Sequence, residues 1–92
     1  MIIRIMGEGQ YLASDALCNE LNRIDNHIVT LVEEGKAEEY RNELKRLISE
    51  IKRKAEPIDP KEILESDIIV PPGDLSFEEA KDVFKGVGIF ED

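Results

Sequence analysis

The chain reads as an α+β domain, and three patterns carry that reading. A β-branched opening, Ile2-Ile-Arg-Ile-Met6, runs into Gly7-Glu8-Gly9, as a hairpin requires. Two long apolar stripes at helical spacing come next, separated by Gly35. The last third breaks into short runs punctuated by proline. The predicted architecture is an N-terminal β-hairpin with a third short strand near 68–70. It packs on a long antiparallel helical hairpin plus short C-terminal helices, all within a single domain over residues 1–92.

In the first strand, alternation puts Ile3 and Ile5 on one face and Ile2, Arg4 and Met6 on the other. Glycine accepts positive φ, so Gly7-Glu8-Gly9 makes the turn, and Gln10 to Ala13 return as the second strand. Ser14 and Asp15 are N-cap residues for the first helix, whose stripe is Leu17, Leu21, Ile24, Ile28 and Leu31. Gly35 ends it in a left-handed cap. The second helix runs from about Ala37 to Ala55 on Tyr40, Leu44, Leu47 and Ile51, widened by Ile48. Glu43 with Arg46 and Glu50 with Lys54 pair along its outer face. So short a connection makes the two helices antiparallel neighbours.

Pro57 and Pro60 punctuate the next stretch. Asp59-Pro60-Lys61-Glu62 has the form of a capping box opening a short helix through Ile63 and Leu64. Ile68-Ile69-Val70 is the third strand, stopped by Pro71-Pro72. Ser76-Phe77-Glu78-Glu79 is a second capping box, starting a helix to about Lys85 with Ala80, Val83 and Phe84 on its apolar face. Gly86 and Gly88 end it, and Ile89-Phe90 tuck back onto the core.

The formal charge of −9 is unevenly spread, with −2 in residues 1–32, zero in 33–56 and −7 in 57–92. Phosphate backbones need clustered Lys and Arg, so no nucleic-acid partner is expected. Direct docking on anionic lipid is disfavoured for the same reason. No apolar run approaches the roughly 20 residues that span a bilayer, so no direct membrane insertion is expected. The single Cys18 cannot form an internal disulfide. Together with the lack of a secretory pattern at the start, it places the chain in the cytoplasm.

Catalytic and metal-binding patterns are sparse. His27 is the only histidine and has no companion ligand, which favours a half-buried structural role. Cys18 flanks the first helical stripe near Asp15 and Glu20 and reads as packing. Gly7-Glu8-Gly9 lacks the third glycine and the Lys-Ser/Thr pair of a phosphate loop. The acids Asp67, Asp74, Glu78, Glu79 and Asp82 do not match a calcium loop. No catalytic residue, cofactor or metal is therefore expected. One enzymatic alternative remains, a small-molecule or catalytic site formed by Glu20, Arg23 and His27 in a pocket between helices and sheet. The segment Leu21 to Ile28 also resembles the first helix of the all-helical chorismate mutases. That chemistry needs several cations around a dicarboxylate, whereas Arg23 stands among acids on a chain that opens with a strand.

Arg4-Ile-Met-Gly-Glu-Gly-Gln-Tyr11 and Asp67-Ile-Ile-Val-Pro-Pro-Gly-Asp74 are the two most specific segments of the chain. With Leu21 to Asp25, and with the second segment extended over Ser66 to Glu79, they resemble the PspA-associated protein family from residue 1 to about residue 90. The resemblance implies a small cytoplasmic protein of archaea and bacteria, commonly encoded beside PspA, a helical membrane-remodelling protein of the envelope-stress response. It carries over no catalytic residue. The expected function is a non-enzymatic adaptor or regulator of a PspA-type coiled-coil protein, membrane-associated only through that partner. Expected partner-binding residues are Arg4, Glu8, Gln10 and Tyr11 at the hairpin, and Pro71, Pro72 and Asp74 after the third strand. A further expectation is a homo-oligomer in which strand one pairs with its copy.

Overall fold

The computed structural model describes residues 1–62 and 64–90. Among these residues, four strands and three helices follow one another as β1 (Ile2–Ile5), β2 (Gly9–Leu12), α1 (Asp15–Glu33), α2 (Ala37–Lys54), β3 (Glu56–Pro57), β4 (Ile68–Val70) and α3 (Phe77–Val83). The architecture is the predicted α+β: a hairpin-led sheet, two long packed helices and a short C-terminal helix.

Ser14 caps α1, its Oγ accepting from Leu17 N at 3.2 Å. At the other end Gly35 takes φ +74°. Its N–H donates to Val32 O, and Lys36 N–H donates to Leu31 O. This is the six-to-one, five-to-two bonding of a Schellman cap. The turn folds α2 back along α1, and the predicted stripes of both helices are buried. Beside its leucine stripe α1 buries a second line, Asp25, Val29 and Val32.

The sheet order is β3-β2-β1-β4. β1 pairs antiparallel with β2 and parallel with β4. Ile3, Ile5 and Val70 are buried, whereas Arg4, Met6 and Ile69 face outward. Having a neighbour on each side, β1 has no free edge, which closes the expected pairing of strand one with its copy. The sequence did not mark β3. Glu56–Pro57 pair with Leu12 and Tyr11, and Ile58 N–H donates to Gln10 O at 2.9 Å, so most of the hairpin's outer edge is covered as well.

Two predicted features change. Asp59-Pro60-Lys61-Glu62 forms a turn, with Asp59 accepting from Lys61 N through its side chain and from Glu62 N through its carbonyl. The proline-led capping pattern thus makes a single turn, and Leu64 lies outside any helix. Ile63 lies outside the described residues. On α3, Ala80 and Phe84 are buried as expected, but Val83 is exposed, because this short helix presents only one narrow face to the core.

Three buried polar side chains tie the irregular C-terminal third to the rest. Gln10 Nε2 donates to Leu64 O at 2.7 Å and to Ser66 Oγ at 2.8 Å. Tyr40 Oη donates to Leu75 O at 2.8 Å. Asp25, fully buried, accepts from Ile89 N at 3.1 Å and Phe90 N at 2.8 Å. Tyr40 also seats α3, meeting the rings of Phe77 and Phe84 edge-on at 5.8 and 6.1 Å.

Gly88 closes over the Asp25 carboxylate at φ +80°, and a Cβ there would stand 2.4 Å from Oδ2. Gly88→Ala should cost about 2 kcal/mol or more by chemical denaturation, combining strain at positive φ with overlap in a closed space. Burial holds the Asp25 carboxyl above its ordinary range, outweighing the two backbone N–H bonds that lower it. A raised carboxyl favours the folded state when protonated. Its contribution is therefore full below the ordinary carboxylate pKa and is lost as pH rises through the raised one. The stability of the native protein relative to Asp25→Asn should accordingly fall as pH is raised from about 3 towards 7. A flat difference would contradict the burial.

Candidate functional site

The parallel pairing of β1 with β4, Ile3 with Ile68, Arg4 with Ile69 and Ile5 with Val70, sets two segments sixty-odd residues apart side by side. Parallel strands leave the sheet at the same end. One continues into Gly7-Glu8-Gly9 and the other into Pro71-Pro72-Gly73-Asp74. Met6 N donates to Val70 O at 3.0 Å and joins the two turns at their bases.

α2 passes this end of the sheet and completes a groove of about 430 Å3. Its lining is Glu8 from the hairpin turn, Gly73 from the proline loop, and Lys45, Ile48, Ser49, Lys52 and Arg53 from α2. Lys52 donates to the Glu8 carboxylate, and this bond raises the lysine above its ordinary pKa. Arg53 pairs with Glu50 one turn back. Lys45 has no ion pair among the described residues.

A second groove, of about 330 Å3, lies between the hairpin and residues 57–62. Arg4, Glu8, Gln10 and Tyr11, four of the residues expected to meet a partner, line it together. Pro71, Pro72 and Asp74 lie apart from it, beyond β4, and Glu8 borders both grooves. Arg4, Glu8 and Asp74 are exposed, Tyr11 and Pro72 half-buried, and Gln10 and Pro71 buried. Gln10 pairs with Arg4 across the strands, on the face away from the helices. It is covered because Leu64 and Ser66 cross over it and take its amide.

Glu20, Arg23 and His27 also share a groove, of about 450 Å3, with Glu43 and Arg46. It is lined by α1 and α2 alone, not by helices and sheet as expected. Its carboxylates are engaged across the helix pair. Glu20 accepts from Lys54 at 2.8 Å, and Glu43 holds His27 Nδ1 at 3.0 Å and Arg46 at 3.5 Å. The hydrogen bonds to Glu20 and Glu50 raise Lys54 above its usual pKa. The His27 side chain is 55% exposed, which corrects the expected half-buried role. It flanks the leucine stripe on the outward side. Cys18 is half-buried, and burial pushes its thiol pKa up, as suits a packing role better than a nucleophile. Among the described residues no three His, Cys, Asp or Glu gather as a metal ion needs, and no helix is long and apolar enough to cross a membrane.

The Tyr40–Leu75 bond is what draws the end of the proline loop onto α2, so its loss should be felt next to the first groove. Tyr40→Phe should cost about 1 kcal/mol, the usual net contribution of one buried hydrogen bond. Burial, only partly offset by Arg41, pushes the Tyr40 hydroxyl up to about 12 from 10.0. The folded state therefore keeps this proton where the unfolded chain loses it. Stability contributed by Tyr40 is full below pH 10 and disappears as pH rises to about 12. Tyr40→Phe should flatten that part of the alkaline unfolding profile, and an unchanged profile would contradict the assignment.

Compared with known proteins, the sequence model of the PspA-associated protein family matches residues 1–92, the whole chain, and the chain belongs to that family. No curated protein matches the chain, and no solved structure does.

Proposed function

We propose that this member of the PspA-associated protein family is a non-enzymatic adaptor or regulator that acts with a PspA-type coiled-coil protein. The observation that carries the reading is convergence. The two segments on which the family resemblance rests are neighbouring parallel strands, and the turns that extend them border one groove against α2. Glu8 and the proline loop thus meet at one end of the sheet, Arg4, Gln10 and Tyr11 line the neighbouring groove, and Arg4, Glu8, Tyr11, Pro72 and Asp74 are at least partly exposed.

The charge distribution supports a protein partner. Residues 57–92 carry −7, which favours a basic stretch on the partner and disfavours phosphate backbones and anionic lipid. The protein then works in the cytoplasm and reaches the membrane surface through its partner. The groove at Glu20, Arg23 and His27 offers less to an enzymatic reading, because its Glu20, Glu43 and His27 side chains are paired with one another or with Lys54 and Arg46.

Fluorescence anisotropy with a labelled PspA-type protein tests the proposal. Association at micromolar concentrations or tighter is expected, weakening as salt rises from about 0.05 M to about 0.5 M. Asp74→Lys should weaken it about threefold while leaving the circular dichroism spectrum unchanged, the usual scale for an exposed charge at the rim of an interface. No association at micromolar concentration, at low salt and with both proteins folded, would overturn the adaptor reading.

A further inference from the structure

We propose that the groove between α2 and the Pro71–Asp74 loop is a carboxylate slot, which takes one Asp or Glu, flanked by an aliphatic side chain, from a helical segment of a protein partner. The inference deepens the adaptor reading and rests on it for the partner's being a helical protein. The chemistry of the slot stands on its own geometry.

Four observations carry it. First, on a chain of net charge −9 this groove is lined by three cations, Lys45, Lys52 and Arg53, against the one lining carboxylate Glu8, and with Glu50 bound to Arg53 the excess is one positive charge. Lys45, Lys52 and Arg53 stand at i, i+7 and i+8 on α2, so one helix face presents all three. Second, Lys52 and Arg53 already hold carboxylates, Glu8 and Glu50, whereas Lys45 holds none among the described residues. The slot therefore has one cation still available, beside two that already bind carboxylates. Third, the floor is Ile48, almost wholly buried at 7% exposed, so the slot is closed below by an apolar side chain, and an aliphatic neighbour of the incoming acid gains close contact there rather than buried area.

The fourth observation concerns Gly73. Five of the six glycines stand at positive φ, and Gly73 alone does not. Its backbone does not require glycine. A Cβ there would meet only Ile48 Cδ1, at an ordinary 3.5 Å. What the missing side chain does is leave the wall of the groove open above Ile48.

The same charges decide against other anions. Asp74 adjoins the slot, and residues 57–92 carry −7, so a polyanion such as nucleic acid or an anionic bilayer meets repulsion around a small cationic opening. An isolated carboxylate on a basic helix meets much less of that repulsion, because the helix's other charges are attracted by the same acids.

The test is a titration of isotope-labelled protein, monitored by amide NMR shifts, with a neutral amphipathic helical peptide carrying one Glu beside Leu. Its Gln counterpart and phosphatidylglycerol vesicles serve as comparisons. Saturable shifts at Lys45, Ser49, Lys52 and Gly73 are expected, with the Gln peptide about two- to fivefold weaker, the scale of one charge contact. Lys45→Glu should weaken the Glu peptide and favour a Lys counterpart. Gly73→Leu should abolish binding while leaving the melting temperature nearly unchanged. Equal affinity for Glu and Gln peptides, shifts centred elsewhere, no saturable binding, or preference for the vesicles would each overturn the slot. The two readings fail separately. If the PspA-type protein binds the native chain, Lys45→Glu and Gly73→Leu equally well, the slot falls and the adaptor stands. If the peptide fills the slot but the PspA-type protein does not bind, the adaptor falls and the slot stands.

Discussion

One buried carboxylate governs how the C-terminal third of this chain is arranged. Asp25 sits mid-way along α1 with no cation beside it among the described residues, and its two oxygens accept from the N–H groups of Ile89 and Phe90. An ionisable group in such a place is costly unless its hydrogen bonds are made. Those bonds hold residues 88–90 in place over the carboxylate. Gly88 can close over the carboxylate only because it has no side chain. With that end fixed, Phe84 and Phe90 are buried, α3 lies across α1 and α2, and Phe77 and Phe84 bracket Tyr40. Tyr40 in turn holds Leu75, and the preceding loop brings Gly73 against Ile48. The open groove is thus several steps removed from Asp25 and yet depends on it.

Regular structure was legible in the sequence wherever a local pattern causes it. Hydrophobic spacing, the Ser14 and Ser76 caps and the Gly35 turn are interactions within a few residues, and each forms as read. What the sequence hid is long-range. Gln10 reads in the sequence as a partner-facing hairpin residue, because nothing local says that Leu64 and Ser66 will cross over it. The tiny strand at Glu56–Pro57 has no alternation to announce it and exists only because β2 offers an edge. Asp59 looked like a helix cap, but its turn leads into no helix at Leu64. Asp25 did leave a trace. It heads a second stripe with Val29 and Val32, and an acid at the start of an apolar stripe signals a partner from elsewhere in the chain. The candidate surface was legible as two segments, but their adjacency needed the parallel pairing of β1 with β4.

The charge pattern gives the molecule two electrostatic characters. At long range it is an anion, dominated by residues 57–92. Close to the sheet end it presents two lysines and an arginine from α2, and Lys45 among them has no ion pair with the described residues. The proposed partner, a mixed-charge helix, would suit both, its basic residues steered by the anionic surface and a single acid setting the register in the groove. This division fits an adaptor, in which steering and specificity are separate requirements. It rests on the family to which the chain belongs and on the convergence of its two most distinctive segments.

Because everything beyond β4 is referred back to Asp25, the most direct measurement is native-state hydrogen exchange at the Ile89 and Phe90 amides. If the carboxylate clamps them, both should exchange slowly, with protection approaching that of core amides such as Ile28 although they lie outside any helix or strand. Exchange at the rate of an unstructured segment, with the core still protected, would contradict the clamp.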